Sequence, residues 1–251
     1  MAFGRNNEQI ARLSGLTQTQ ESQLDAGLRQ YMLRVYNYMA SGLVLTGIFA
    51  YGGTKFPALL NLMYSVGPGG SYSPTLFAWI VMLSPLAFIL VLNFGIQRMQ
   101  ASTAQAVFWI FSAIMGLSLT HIFIVYTGAS ITRVFFITAG TFAAMSLYGY
   151  TTKRDLSKFG SFLFMGLIGI IIASVVNIFM QSSAMAFVIS VIGVLVFVGL
   201  TAHDTQNIKR MYIEGEQSET ATKKAVMGAL SLYLDFLNLF MMLLHLFGDR
   251  R

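Results

Sequence analysis

Apolar runs of membrane-crossing length recur along the chain, separated by short polar breaks. A helix of about 20 apolar residues crosses a bilayer. On that measure the pattern predicts spans over about 35–51, 76–96, 106–126, 134–150, 161–180, 184–203 and 227–247. Gly52, Gly53 and Pro57 stop the first span, and residues 55–75, punctuated by Pro57, Gly67, Pro68, Gly69, Gly70 and Pro74, read as an external loop. Pro85 puts a kink in the second span, and neighbouring helices of a bundle can re-satisfy the carbonyl it frees. The fold class expected is all-α, a polytopic membrane bundle of seven transmembrane helices forming one domain over residues 31–251. Residues 1–30 are polar and read as a mobile tail, with a short amphipathic helix over 24–33.

The last run, MGALSLYLDFLNLFMMLLHLF, holds one carboxylate near its middle, Asp235. A charge at that depth costs a few kcal/mol even on the lowest scales, so an intramembrane acid is a functional candidate. Gly228, Ser231, Asp235, Asn238, Met242 and His245 follow one another at steps of three and four, the spacing of one helix face. Such a helix is expected to turn this polar stripe inward, away from lipid.

Composition sharpens the class. Of the 251 residues 55% are hydrophobic and 10% charged, against about 25% charged in a soluble domain. The net charge of +6 therefore speaks of topology and not of nucleic acid. The clusters Lys153/Arg154/Lys158, Lys209/Arg210 and Lys223/Lys224 flank apolar runs. With the N-terminus in the cytosol they fall inside, with Arg5, Arg12, Arg29, Arg34 and Arg98, while Lys55, Arg133, Arg250 and Arg251 fall outside. That is the positive-inside bias of a multi-pass protein of a cell (inner) membrane. The basic tip at Arg250 and Arg251 leaves two readings of the seventh run, a full crossing or a re-entrant bend. No cleavable signal peptide is read in the polar start, and the absence of cysteine excludes disulfides and thiolate chemistry.

Only two of the ten acids, Asp204 and Asp235, belong to apolar spans. The short linker between their runs makes the sixth and seventh helices antiparallel neighbours, and if the sixth helix continues through Tyr212 the two acids reach similar depth. Two close carboxylates in a poorly hydrated site titrate as a pair and hold one proton between them. Their oxygens also suit a hard cation such as Ca²⁺, and no other cofactor is expected. Asn238, His203 and His245 are weaker candidates, and His121 reads as a packing residue. Arg98, at the end of the second span, is either an interfacial anchor or an ion-pair partner of Asp204 that gates the site.

Three segments carry a resemblance. LSLYLDFLNLF at 230–240, HDTQNIKR at 203–210 and KRDLS at 153–157 resemble the Bax-inhibitor (transmembrane Bax-inhibitor-motif) family, in a bacterial-type member. The likeness covers the chain after about residue 30. It implies a seven-helix fold with the seventh helix central, and a pH-sensitive Ca²⁺ leak whose sensor is a pair of aspartates falling on Asp204 and Asp235. The gating arginine falls on Arg98. One bacterial branch is linked to a membrane-bound AAA protease, which is the partner the resemblance implies besides membrane lipid. Some relatives carry a glutamate in the second helix, and TLFAWIVMLSPLAFILVLNFGI has none, so no second acidic site is expected along the path.

Three functional classes compete. The first is a cation leak channel gated by protons. The second is a non-transporting membrane regulator whose polar N-terminal stretch binds a membrane protease or another membrane partner. The third is an intramembrane aspartyl protease, since those also set two aspartates on adjacent helices. That class needs GxGD, and the contexts in this chain are TAHD and LYLD. Pro57-Ala58-Leu59 spells its other element but lies after the first span, far from both acids. The expectation is therefore no enzyme.

Overall fold

The computed structural model describes the backbone of residues 3–67 and 72–251, and the side chains of 26–65, 67 and 73–251. The chain opens on α1 (Phe3–Gly53). The tail expected over residues 1–30 is thus helical from Phe3 and joins the first span without a break. It contains no proline, and Gln, Glu, Arg, Leu and Ala hold a helix well. After Gly53 the chain turns by 90° into α2 (Pro57–Met63), which Pro57 starts from a position where its missing N–H costs nothing. A hairpin follows, β1 (Tyr64–Val66) against β2 (Tyr72–Pro74). The loop read over 55–75 therefore carries structure of its own.

The long helices come next. α3 (Leu76–Gly95) is capped by the Thr75 hydroxyl, which accepts the Ala78 N–H at 3.3 Å, and it passes through Pro85. The third span is divided at Leu119 into α4 (Ala101–Ser118) and α5 (Thr120–Val125). α6 (Gly128–Thr151) and α7 (Ser157–Met180) follow. Gln181, at φ 49°, ends α7 in the left-handed region, and the Ser182 N–H turns back to the Asn177 carbonyl Oδ1. That tight turn leads into α8 (Ser183–Arg210). The last helix, α9 (Ser218–Phe247), runs for 30 residues, about 45 Å, so the seventh run crosses fully and does not bend back.

Among the described residues six helices are long and apolar enough to cross a membrane, and the bent pair α1–α2 makes a seventh. α9 stands at the centre, packed on α8, α1, α6 and α4, with α3 outside α4 and α7 outside α8. Burial follows this order: 61% of the α9 span is buried against 6% of the α7 span. Lipid tails are as apolar as leucine, so close packing and hydrogen bonds hold such a centre together more than hydrophobicity does. Tyr233 illustrates both. Its ring meets Phe108 and Phe111 edge-on at 5.9 and 5.4 Å, and its hydroxyl lies 2.6 Å from Thr46 Oγ1.

The C-terminal tail is fastened at the far end of the bundle. Thr127 N–H donates to Asp249 O at 3.1 Å, Arg251 N–H to Val125 O at 2.9 Å, and Arg133 pairs with Asp249 at 2.9 Å. Lys55 and Arg251 line one cavity there. The four basic residues assigned to the outside thus share one end, and the links 152–156 and 211–217 share the other.

Candidate functional site

Asp204 lies six residues before the end of α8 and Asp235 in the middle of α9. Close approaches set the register of this antiparallel pair: Gly228 faces Ile208, and Gly193 faces Met242. Asp204 is then level with Ser231 and Asp235 with Leu200, one turn deeper, an axial offset of about 6 Å. Side chains lean toward the N-terminus of their own helix. In antiparallel helices the two acids therefore lean toward one another, and the offset narrows.

Their surroundings differ. Asp204 Oδ1 lies 2.9 Å from His203 Nδ1, and Asn207 Nδ2 lies 3.4 Å from the other ring nitrogen. With Asn207 donating to Nε2, the ring carries its proton on Nδ1 and donates to Asp204. Gly160 of α7 leaves room for this ring, since a Cβ there would meet His203 Nε2 at 2.5 Å. Asp235 is 6% exposed, and its Oδ2 accepts no hydrogen bond from the described residues. A buried carboxylate oxygen without a donor is costly, and a proton shared with a neighbouring carboxylate removes that cost.

The other candidates separate. Asn238 is half-buried and donates to Leu234 O of its own helix at 2.8 Å. His245 is exposed and lines a cavity with Arg250 at the far end, about 15 Å along α9 from Asp235. His121 takes a packing place, with Nδ1 3.0 Å from Ser118 O. Arg98 is exposed in the turn after α3, forms no ion pair among the described residues, and its helix packs on α4 and not on α8. The structure therefore keeps Arg98 away from Asp204. The inward stripe expected on α9 also needs revision, because a central helix is buried on most sides: Ser231, Asn238 and Met242 are half-buried while Leu232, Tyr233 and Leu239 are fully buried.

Two features were missed in the sequence. A chain of hydroxyls joins three helices: Tyr36 Oη lies 2.6 Å from Ser146 Oγ, which lies 2.9 Å from Thr205 Oγ1. Only Thr205, inside HDTQNIKR, carried a signal. The second is a clamp. Gln206 accepts the Leu156 N–H at 2.9 Å and donates to Arg154 O at 2.8 Å. Lys209 donates to Tyr150 O at 2.9 Å, and Arg210 pairs with Asp155 at 2.7 Å. The end of α8 thus grips the α6–α7 link, so the segments HDTQNIKR and KRDLS are two halves of one contact. The Arg210 guanidinium holds the Asp155 carboxyl down at about 2.

Chemically, the pair offers two anionic or proton-sharing groups inside an apolar bundle. No group of three or more metal-binding side chains occurs among the described residues. Two carboxylates alone fall short of the six to eight oxygens that a Ca²⁺ ion takes.

Comparison with known proteins agrees with this architecture. The family profile described as inhibitor of apoptosis-promoting Bax1 matches residues 28–251. Inner membrane protein YbhL of Escherichia coli (strain K12) is 48% identical over 231 residues, 90% of this chain and 94% of its own length. An uncharacterized protein of Rickettsia prowazekii is 46% identical over 235 residues, 94% of this chain and 96% of that one. An uncharacterized membrane protein of Streptococcus pyogenes serotype M6 is 36% identical over 227 residues, 90% and 96% of the two chains.

Proposed function

The chain belongs to the Bax-inhibitor family of integral membrane proteins, and we propose that it is a pH-sensitive cation leak path with Asp204 and Asp235 as its gate. The observation that carries this reading is Asp235 Oδ2, buried about one helical turn from the level of a second acid and without a donor among the described residues. Asp204 already accepts the His203 N–H, so the shared proton sits on the Asp235 side and is donated to Asp204. With the proton in place the pair ties α8 to α9. Without it, two like charges push the helices apart and attract a cation. Ca²⁺ is the cargo, drawn by carboxylate oxygens.

The basic links at one end support an inner-membrane orientation with the N-terminus in the cytosol. The test is flux of Ca²⁺ and monovalent cations into liposomes containing the purified protein, scanned over pH. A leak that changes with pH, and loses that dependence in Asp235→Asn, is expected. Flux no greater than in protein-free liposomes at every pH refutes it.

A second reading is favoured by one observation: the helix begins at Phe3, well before the apolar run that starts near Val35. Such an extension could bind a membrane partner, of which a membrane-bound AAA protease is the candidate. Deleting residues 2–25 while measuring flux and partner binding separates the two roles.

A further inference from the structure

α1 packs along α4 and α9, and α6 along α8 and α9. Between α1 and α6 a seam stays open, floored by α9 in its far half. That far half holds an apolar cavity of about 380 Å³ between Leu43 and Phe136. The near half holds a groove of about 440 Å³, lined by Met32, Tyr36, Phe142 and Ser146, with Arg29 and Tyr150 at its end. Met32 and Phe142 are buried at 3% and 5% exposure, while Leu33 and Leu147 are exposed on its flanks. The groove therefore faces sideways, into the bilayer.

Directly beyond it lies a cavity of about 360 Å³ lined by Leu28, Thr152, Lys153, Gln206 and Lys209. Leu28 and Arg29 are chain neighbours, as are Gly149 and Tyr150, so the two spaces adjoin. Lys209 spends one N–H on Tyr150 O and lies over the Tyr150 ring. Two of its three donors remain. Arg29 and Lys153 are exposed, and neither has an ion-pair partner among the described residues. Asp155, in the same link as Lys153, is held by Arg210.

We propose that this seam binds one anionic phospholipid, with its phosphate among Arg29, Lys153 and Lys209 and an acyl chain in the groove beneath. The fit rests on charge and on shape. Arg29 stands at the end of the groove and Lys153 and Lys209 line the adjoining cavity, and basic pockets between helices at the headgroup level favour anionic lipid. An apolar slot opens to lipid immediately below them. Tyr36 and Ser146 lie at the inner wall of that slot. A bound chain thus touches the hydroxyl relay that leads to Thr205, next in sequence to Asp204.

The test is fluorescence quenching in vesicles of the full-length protein. Leu147→Trp places a reporter on the groove flank, and Trp79→Phe and Trp109→Phe remove the two exposed native tryptophans. Brominated phosphatidylglycerol is compared with brominated phosphatidylcholine of the same chains. Preferential quenching by phosphatidylglycerol is expected, falling about fivefold for Arg29→Gln, Lys153→Gln or Lys209→Gln. Quenching by phosphatidylcholine, unchanged in each variant, reports that the seam still forms. Arg98→Gln removes an exposed cation at the same end, outside the groove, and should leave the preference intact. Equal quenching by the two lipids, an equal loss in Arg98→Gln, or displacement by soluble glycerol phosphate would each overturn the proposal.

Discussion

Gly149 of α6 lies against the backbone of α8, so closely that a Cβ built there stands 2.9 Å from both Cα and C of Ala202, with the Ala202 carbonyl oxygen nearer still. Ordinary contact begins at 3.4 Å. The nearest obstacle is the Ala202 carbonyl oxygen, backbone that no rotamer change can move, so Gly149→Ala must part the two helices by about 1 Å, an overpacking of about 1–3 kcal/mol. Alanine returns up to about 1 kcal/mol in helix propensity, leaving a net loss of up to about 2 kcal/mol. Gly140 provides the control. It belongs to the same helix, and a Cβ there meets nothing within 4 Å. Gly140→Ala should only gain propensity, up to about 1 kcal/mol. The two variants should then melt about 5–10 °C apart in detergent, Gly149→Ala below wild type and Gly140→Ala at or above it. Ala202 is two residues from Asp204, so Gly149→Ala should also shift the pH profile of the leak while Gly140→Ala does not. Equal melting shifts of the same sign would show that α6 and α8 are not in this contact.

Four further outcomes follow from the geometry. Asp235→Asn and Asp204→Asn should each flatten the pH dependence of liposome flux, and the double variant should add little, as for two residues acting as one unit; a wild-type profile in either single variant excludes the shared proton. Arg98→Ala should leave that profile unchanged, because Arg98 is exposed and unpaired among the described residues; a raised basal leak would mean it reaches the site in another state. Asp155 should titrate at about 2 by carboxyl-carbon NMR in detergent, and nearer its ordinary 3.8 in Arg210→Gln. Since its folded value is depressed, the Asp155–Arg210 pair contributes above about 4 and is lost as pH falls through about 2. Cysteines at Ser157 and Ser218, both exposed, should be labelled only after the cytosolic face is opened; labelling from outside intact cells reverses the orientation.

Hydrophobic run length located the spans, because bilayer thickness imposes one period on every crossing helix. It could not locate the break at Leu119 or the hairpin at Tyr64–Pro74, where the chain leaves that period for reasons of local packing. The central place of α9 was implied by the resemblance, and its burial on most sides erased the simple stripe that spacing suggested. Asp204 and Asp235 stood out because acids are rare in apolar spans. Arg98 was a weaker inference: a cation at a helix end carries no information about which helix it faces, and α3 faces α4. Tyr36 and Ser146 gave no signal at all, since a hydroxyl in a membrane helix is common and their meeting depends on residues 110 positions apart.

The most informative segment in retrospect is the end of α8. Within one turn it presents Asp204 to α9, Thr205 to the Ser146 hydroxyl, and Gln206 to the α6–α7 link. Successive residues on a helix point about 100° apart, so three consecutive side chains can serve three different neighbours. A movement of α8 away from α9, as repulsion between two ionised acids would cause, cannot leave the other two contacts unaltered. The Gln206 clamp holds backbone groups at both its ends, and breaking it would strand a buried N–H at Leu156. Either the link follows α8 as a rigid unit or the movement is resisted there. Replacing Gln206 with Ala removes that coupling. Without its clamp the link should become easier to label at Ser157, and the pH dependence of the leak should broaden as α8 moves with less restraint.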